Sequence, residues 1–267
     1  MFQSNGNQLC FPDPVRVLAV GAHPDDIEAG AGGLLILLSQ EKAGIALCVL
    51  TDGAQGGCIE TRRREARLAA HQLGAELVLG GLPDTRLRLR DAIGILETLI
   101  KRFKPDIILV HYPRDTHQDH RIVTAATLSV GREVSNLLFY EGPSTLGFTP
   151  MTSLEISTVM KQKLALIRLH QSQMDRTRID TWAGVTAIYR GFQMNRSITY
   201  AEAFHPFREQ LSLGPIKAHS HQTSLARDGD GWHELVESAV NLIDLGEPPL
   251  DRSSSLAADP LDATRPG

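Results

Sequence analysis

Residues 15–28 read Val-Arg-Val-Leu-Ala-Val-Gly-Ala-His-Pro-Asp-Asp-Ile-Glu, and Gly30-Ala31-Gly32-Gly33 follows almost at once. The apolar run from Val15 to Val20 predicts a buried β-strand. Behind the glycines, Gly32 to Gln40 carries Leu34, Leu35, Leu37 and Leu38 at helix-like spacing. Between the two stand a histidine and two adjacent carboxylates, in the place where open α/β sheets build their sites.

Outward from this segment the alternation continues. Ile45 to Leu50 reads as a second strand, and Arg62 to Leu73, with Ala66, Ala69, Ala70 and Leu73 on one face, as a helix ended by Gly74. Glu76 to Leu79 is a short third strand. Ala92 to Phe103 is a helix stopped before Pro105, and Asp106 to His111 is a fourth strand. Strands that are apolar throughout and alternate with helices predict an α/β fold with a Rossmann-like, mostly parallel sheet and helices on both faces. In the second half, Asn136 to Tyr140 suits a further strand, Leu154 to His170 has helical spacing, and Arg178 to Tyr189 is a weaker helix. Residues 1–210 are expected to form one domain. Residues 211–267 turn polar and rich in Gly, Pro and Ser, a loosely held extension with one helix expected at Trp232 to Leu245.

The 267 residues are 42% hydrophobic, enough for a full core. With 27 basic against 31 acidic residues the net charge is −4, and no basic stripe invites a nucleic acid. Cys10, Cys48 and Cys58 are an odd set without CxxC spacing and read as free thiols in a reducing compartment. Met1 to Pro12 lacks the charged and apolar regions of a signal peptide, and no apolar stretch reaches the roughly 20 residues of a membrane span. A cytoplasmic protein is expected.

A second cluster, His111-Tyr112-Pro113-Arg114-Asp115-Thr116-His117-Gln118-Asp119-His120-Arg121, follows the fourth strand as the first cluster follows the first. If those strands are neighbours, both clusters face one crevice. His23, Asp26 and His120 then offer two imidazoles and a carboxylate, a common set for a hydrolytic zinc that keeps one position for water. Asp25, beside Asp26, suits a general base. His117, three residues before His120, suits a donor to a developing oxyanion or leaving amine, with Asp119 or another carboxylate holding its ring. A competing reading makes Asp25 and Glu28 a capping box for the following helix.

The block Ala22-His23-Pro24-Asp25-Asp26-Ile27-Glu28 with Gly30 to Gly33, and the block Asp115 to Arg121, together resemble the two signatures of the LmbE/PIG-L family of zinc-dependent de-N-acetylases. Arg62-Arg63-Arg64-Glu65, Ala69, Leu73-Gly74 and Gly81-Leu82-Pro83-Asp84 resemble the segment that connects them. The likeness extends through Lys163, Leu166, His170 to Gln173 and Tyr200 to Phe204, about residues 14–205. The resemblance implies metal ligands at His23, Asp26 and His120, a general base at Asp25, a second histidine with an assisting aspartate at His117 and Asp119, and a substrate-holding arginine at Arg62. It implies Zn2+, although Fe2+ suits the same ligands. The implied reaction removes an N-acetyl group from a 2-acetamido sugar of the N-acetylglucosamine type. The partner is then a small N-acetylated sugar, with no nucleic acid and no membrane span; assembly into a homo-oligomer stays open. Gln118 stands where some members have proline between the two histidines.

Other readings compete. Another N-acyl amide or a thiol conjugate would suit the same chemistry. The glycines after the first strand invite a nucleotide, but they do not form GxGxxG, and carboxylates in the turn would repel a pyrophosphate; that reading also needs Asp52, at the end of the second strand, to hold a ribose. Thr51-Asp52-Gly53 and Gly56-Gly57 suit a mobile lip or an ordinary turn. Trp182 and Tyr189 suit a core face, and His205, His219 and His221 a solvated segment.

Overall fold

The computed structural model describes residues 14–195 and 197–208. The extension from 211, with its expected helix at Trp232 to Leu245, lies outside these, as do Cys10, His219 and His221. The elements run β1 (Arg16–Gly21), α1 (Asp26–Gln40), β2 (Gly44–Thr51), α2 (Ile59–Leu73), β3 (Glu76–Leu82), α3 (Leu89–Phe103), β4 (Ile107–His111), α4 (Gln118–Val130), β5 (Asn136–Tyr140), β6 (Thr152–Glu155), α5 (Met160–Ile167), α6 (Gln171–Thr177), α7 (Ile179–Met194) and β7 (Ala201–Arg208). They build one seven-stranded sheet in the order β3-β2-β1-β4-β5-β7-β6. Strands β1 to β5 pair in parallel, while β7 is antiparallel to β5 and to β6.

Apolar residues on alternate sides of each strand explain why both faces are covered. Val17 and Ala19 of β1 pack into one cluster with Leu35 of α1, Ala69 of α2 and Leu166 of α5. Leu18 and Val20 pack on the other side with Leu96 of α3 and Val123 of α4. Gly74 caps α2 in the left-handed region, at φ 63°, and Lys104 ends α3 ahead of Pro105. No helix among the described residues is long and apolar enough to cross a membrane.

The layout differs from the expected one at several points, among them the helices α4 and α6, for which the pattern marks no element. The stretch Leu154 to His170 is not one helix: residues up to Glu155 form β6, a turn follows, and α5 starts only at Met160. The strand β7 has no counterpart in the sequence pattern. Its apolar and charged residues do not alternate by face, and Pro206 argues against a strand. β6 forms by pairing with β7, Thr152 opposite Phe204 and Leu154 opposite Glu202, and β7 pairs with β5 on its other edge, contacts across some fifty to seventy residues that no local pattern encodes. The order of strands reverses between β1 and β4, so their carboxyl ends open on one crevice.

Candidate metal centre

Strand β1 stops at Gly21, and the turn Ala22 to Asp25 carries the chain into α1. The Asp26 carboxylate folds back over this turn, its Oδ2 accepting from the N–H groups of Ala22 at 3.1 Å and His23 at 2.7 Å. On the neighbouring strand, β4 ends in His111, and a loop leads to His117, the N-cap of α4, whose first turn carries His120. The two clusters therefore meet. Asp26 Oδ2 lies 3.4 Å from His23 Nδ1, 3.5 Å from His120 Nε2 and 3.3 Å from His111 Nε2. The ring of His117 is 4.6 Å from those of His23 and His120, centre to centre, and the latter two are 5.4 Å apart.

Three overlapping groups among the described residues bring ligand atoms within 4.8 Å of one another: His23, His117 and His120; Asp26, His111 and His120; His23, Asp84 and Asp119. The contacts of His23 Nδ1 and His120 Nε2 with Asp26, at 3.4 and 3.5 Å, are long for charge-assisted hydrogen bonds. They match the edge of a tetrahedron whose corners sit about 2.0–2.1 Å from a central zinc, roughly 3.3–3.4 Å. The donors thus fit a divalent cation, with His23 and Asp26 falling in separate groups that share His120.

Electrostatics point the same way. Burial opposes charge on His23, yet hydrogen bonds with Asp119, Asp26 and Asp84 hold its pKa well above the ordinary value. Burial also opposes charge on His120, and Asp26 and Asp115 overcome it, raising that ring to about 9. Despite burial, the same pairings hold Asp84 and Asp115 down to about 2. Carboxylates around these rings demand positive charge, which a cation supplies by displacing ring protons. His111 differs: burial pushes it down to about 4, so it is a neutral ring stacked 3.9 Å from His120.

Each of the two histidines is held from behind. His23 Nε2 meets Asp84 Oδ1 at 3.1 Å and Asp119 Oδ2 at 3.3 Å. His120 Nδ1 meets Asp115 Oδ2 at 3.1 Å and Ser144 Oγ at 3.3 Å. Such partners fix ring rotation and tautomer. The sequence alone assigns no role to Asp84, Asp115, Ser144 or His111. Asp115 and His111 belong to the second cluster, a usable signal. Asp84 and Ser144 sit on separate loops that only the fold brings in.

Asp25 occupies the N-cap position of α1, but its side chain makes no capping bond, so the capping-box reading fails. Its backbone sits at φ 105°, ψ −24°, outside the usual range for a residue with a side chain. The carboxylate instead accepts from Arg62 Nη2 at 3.2 Å through Oδ1. Burial, with the charge of adjacent Asp26, pushes Asp25 up to about 6 while Asp26 is held well below its ordinary range, chiefly by His120 and His111 against its own burial. Two neighbouring carboxylates are thus split apart in basicity, as acid–base sites require.

His117 Nδ1 accepts from the Asp119 N–H at 3.2 Å, so its neutral ring carries the proton on Nε2. Burial and the neighbouring rings lower its pKa and favour that neutral form. The Asp119 carboxylate, completely buried, reaches His23 and the Thr85 N–H at 2.7 Å; only its backbone touches His117. Arg62, only 4% exposed, also donates to Pro24 O and Gly53 O. Asp52 gives both carboxylate oxygens to Arg63, at 2.9 and 2.7 Å. Cys48 is buried and Cys58 exposed, both as free thiols. Trp182 packs in a small cluster, whereas Tyr189 is exposed.

Residues 18–130, which span both clusters, match the family described as PIG-L, GlcNAc-PI de-N-acetylase. An Escherichia coli K12 protein named as uncharacterized deacetylase YaiS is 39% identical over 168 residues, 58% of this chain and 90% of the relative. The chain belongs to the PIG-L family of deacetylases. A diacetylchitobiose deacetylase of Thermococcus kodakarensis is 28% identical over 202 residues, 64% of this chain and 75% of that one. Among solved structures, the conserved protein TT1542 of Thermus thermophilus superposes with a TM-score of 0.67 at 25% identity, over 74% of this PIG-L chain and 96% of that one.

Proposed function

We propose that this protein is a metal-dependent hydrolase that removes the acetyl group from a 2-acetamido sugar of the N-acetylglucosamine type, with His23, Asp26 and His120 as the metal ligands. The observation that carries the reading is the approach of His23 Nδ1 and His120 Nε2 to Asp26 Oδ2, at 3.4 and 3.5 Å, with the Asp25 carboxylate on the next residue available as a base. A zinc ion bound there would polarise the acyl carbonyl and lower the pKa of water towards ~7. Asp25 accepts the proton of the attacking water. As the carbonyl carbon becomes tetrahedral, His117 Nε2–H donates a hydrogen bond to the oxygen that gains charge. The C–N bond then breaks, the proton passes to the leaving amine, and acetate and a free amino sugar depart.

The sugar is supported by the family's description and by the diacetylchitobiose deacetylase relative. The experiment is amine release from N-acetylglucosamine, N,N′-diacetylchitobiose and non-sugar N-acetyl amides, with zinc-loaded and chelated protein. Release from the sugars alone, abolished by chelation, is expected; equal rates on simple amides would remove the sugar from the reading, and rates untouched by chelation would remove the metal.

A further inference from the structure

The outer face of α7 carries no charge. Its exposed residues are Thr181, Val185, Ile188, Tyr189, Phe192 and Gln193. Its charged side chains are engaged elsewhere, Asp180 with Arg168 at 3.0 Å and the buried Arg190 with both oxygens of Glu141 at 2.6 Å. By contrast, α2 turns Glu60, Arg64 and Arg67 to solvent, and α3 turns Arg90, Glu97 and Lys101. On α7, Val185 is 61% exposed, Ile188 51%, Tyr189 54% and Phe192 70%. Their spacing, i, i+3, i+4 and i+7, makes one stripe along the helix. The polar atoms beside the stripe are already paired: the Tyr189 hydroxyl accepts from Gln193 Nε2 at 3.0 Å, and Gln193 Oε1 accepts from Arg190 Nη1 at 2.6 Å. The Arg190 guanidinium also lies 5.2 Å from the centre of the Tyr189 ring, which steadies that ring as an anchor.

The four apolar side chains present roughly 450 Å² to solvent, a patch of the size that marks a contact on an otherwise monomeric surface. Face to face, two such patches remove about 900 Å², near the ~1,000 Å² floor of a specific interface before any flanking residue is counted. Aromatic residues without charge are what the centre of an interface holds. An acidic or basic partner finds no counter-charge here, and a lipid surface would call for Lys or Arg beside the stripe. The stripe also reads the same in both directions, because residues 185 and 192, and residues 188 and 189, are equidistant from its middle. Such a pattern is its own complement when two helices run antiparallel.

We propose that the outer face of α7 joins two copies of this chain about a two-fold axis between Ile188 and Tyr189, so that Val185 meets the partner's Phe192 and Ile188 meets the partner's Tyr189. The inference does not rest on the proposed function, and its test needs no substrate.

Light scattering of the full-length protein at tens of micromolar should give the mass of two chains or an even multiple of it. Phe192→Glu and Val185→Lys alter exposed side chains and leave the core intact. Each should weaken the pairing by about 100-fold, whereas Leu68→Glu on the exposed side of α2 should leave it unchanged. Mixed together, the two α7 variants should pair again, because the lysine of one meets the glutamate of the other; a mixture that stays monomeric overturns the antiparallel contact. A monomeric wild type, or a dimer indifferent to both variants, overturns the proposal. Benzoylphenylalanine in place of Phe192 identifies the occupant. Irradiation should join two chains, and a crosslink confined to one chain would assign the face to another segment of that chain and overturn the two-fold contact. Co-sedimentation of a monomer with phosphatidylcholine vesicles would overturn it in favour of lipid.

Discussion

Asp115 Oδ2 lies 3.1 Å from His120 Nδ1, across the ring from the Nε2 that faces Asp26. The carboxylate holds the ring in one rotation and keeps the proton on Nδ1, so that the Nε2 lone pair points into the site. Asp115→Ala should therefore weaken zinc binding by about 10- to 100-fold while His120 remains. Competition with a chromogenic chelator measures this, and an unchanged affinity would end the buttressing role.

His120→Ala should remove the metal itself. Elemental analysis after dialysis is expected to give about one zinc per wild-type chain and a small fraction in the variant. Since a bound ion stabilises only the folded state, wild-type protein should also lose thermal stability on chelation and the variant should not. Equal stoichiometry in the two proteins would take His120 out of the ligand set.

Asp25→Asn preserves shape but cannot take a proton. Zinc content should stay at the wild-type level while kcat falls by about 100-fold or more. Steady-state amine release, normalised to measured zinc, reads this directly, and a near-normal rate at full metal content would contradict Asp25 as the base.

Gly30 of α1 lies against the ring of Tyr140, whose hydroxyl donates to Val20 O at 2.8 Å, so a methyl group at residue 30 has no space. Gly30→Ala should destabilise the protein by about 1–3 kcal/mol through overpacking. Gly184→Ala in α7 meets nothing within 4 Å and should instead gain up to about 1 kcal/mol, from helix propensity. Urea denaturation of both variants checks the contrast; equal effects would show that the close approach at Gly30 is unimportant.

Glu202 of β7 accepts from Lys163 Nζ at 2.7 Å and from the N–H groups of Gly33 and Leu34 in α1 at 2.6 and 2.8 Å. The carboxylate and the ammonium are both buried. Glu202→Ala leaves an uncompensated ammonium and two donors, and should cost about 3–5 kcal/mol. A loss below about 1 kcal/mol in the same denaturation experiment would mean that water replaces the carboxylate.

The parallel core of the fold was legible because its signals are local. Runs such as Val17 to Val20 and Ile107 to Val110 are short and apolar without alternation, the pattern of strands covered on both faces. Strands β6 and β7 escaped because neither is apolar enough on its own to mark a strand; β7 is held between β5 and β6, and among the described strands β6 pairs with β7 alone. At the site, the residues that the sequence brought forward, His23, Asp25, Asp26, His117 and His120, lie within two motifs whose composition is chemically conspicuous. Ser144 is a single residue on a loop with no distinguishing neighbours, and Asp84 ends the Gly81 to Asp84 stretch, where nothing local marks it as the partner of His23.

The sequence by itself determined the kind of chemistry: imidazoles and carboxylates stand at the ends of two strands of a parallel sheet, and their ligand character belongs to the residue types wherever the chain places them. Only the tertiary structure decided what each carboxylate does. Asp25 faces Arg62, Asp26 faces three histidines, Asp119 turns to His23 and Asp115 to His120. These assignments depend on backbone angles, strand order and burial, which sum over contacts far apart in the chain, and adjacent residues of identical type therefore take opposite roles.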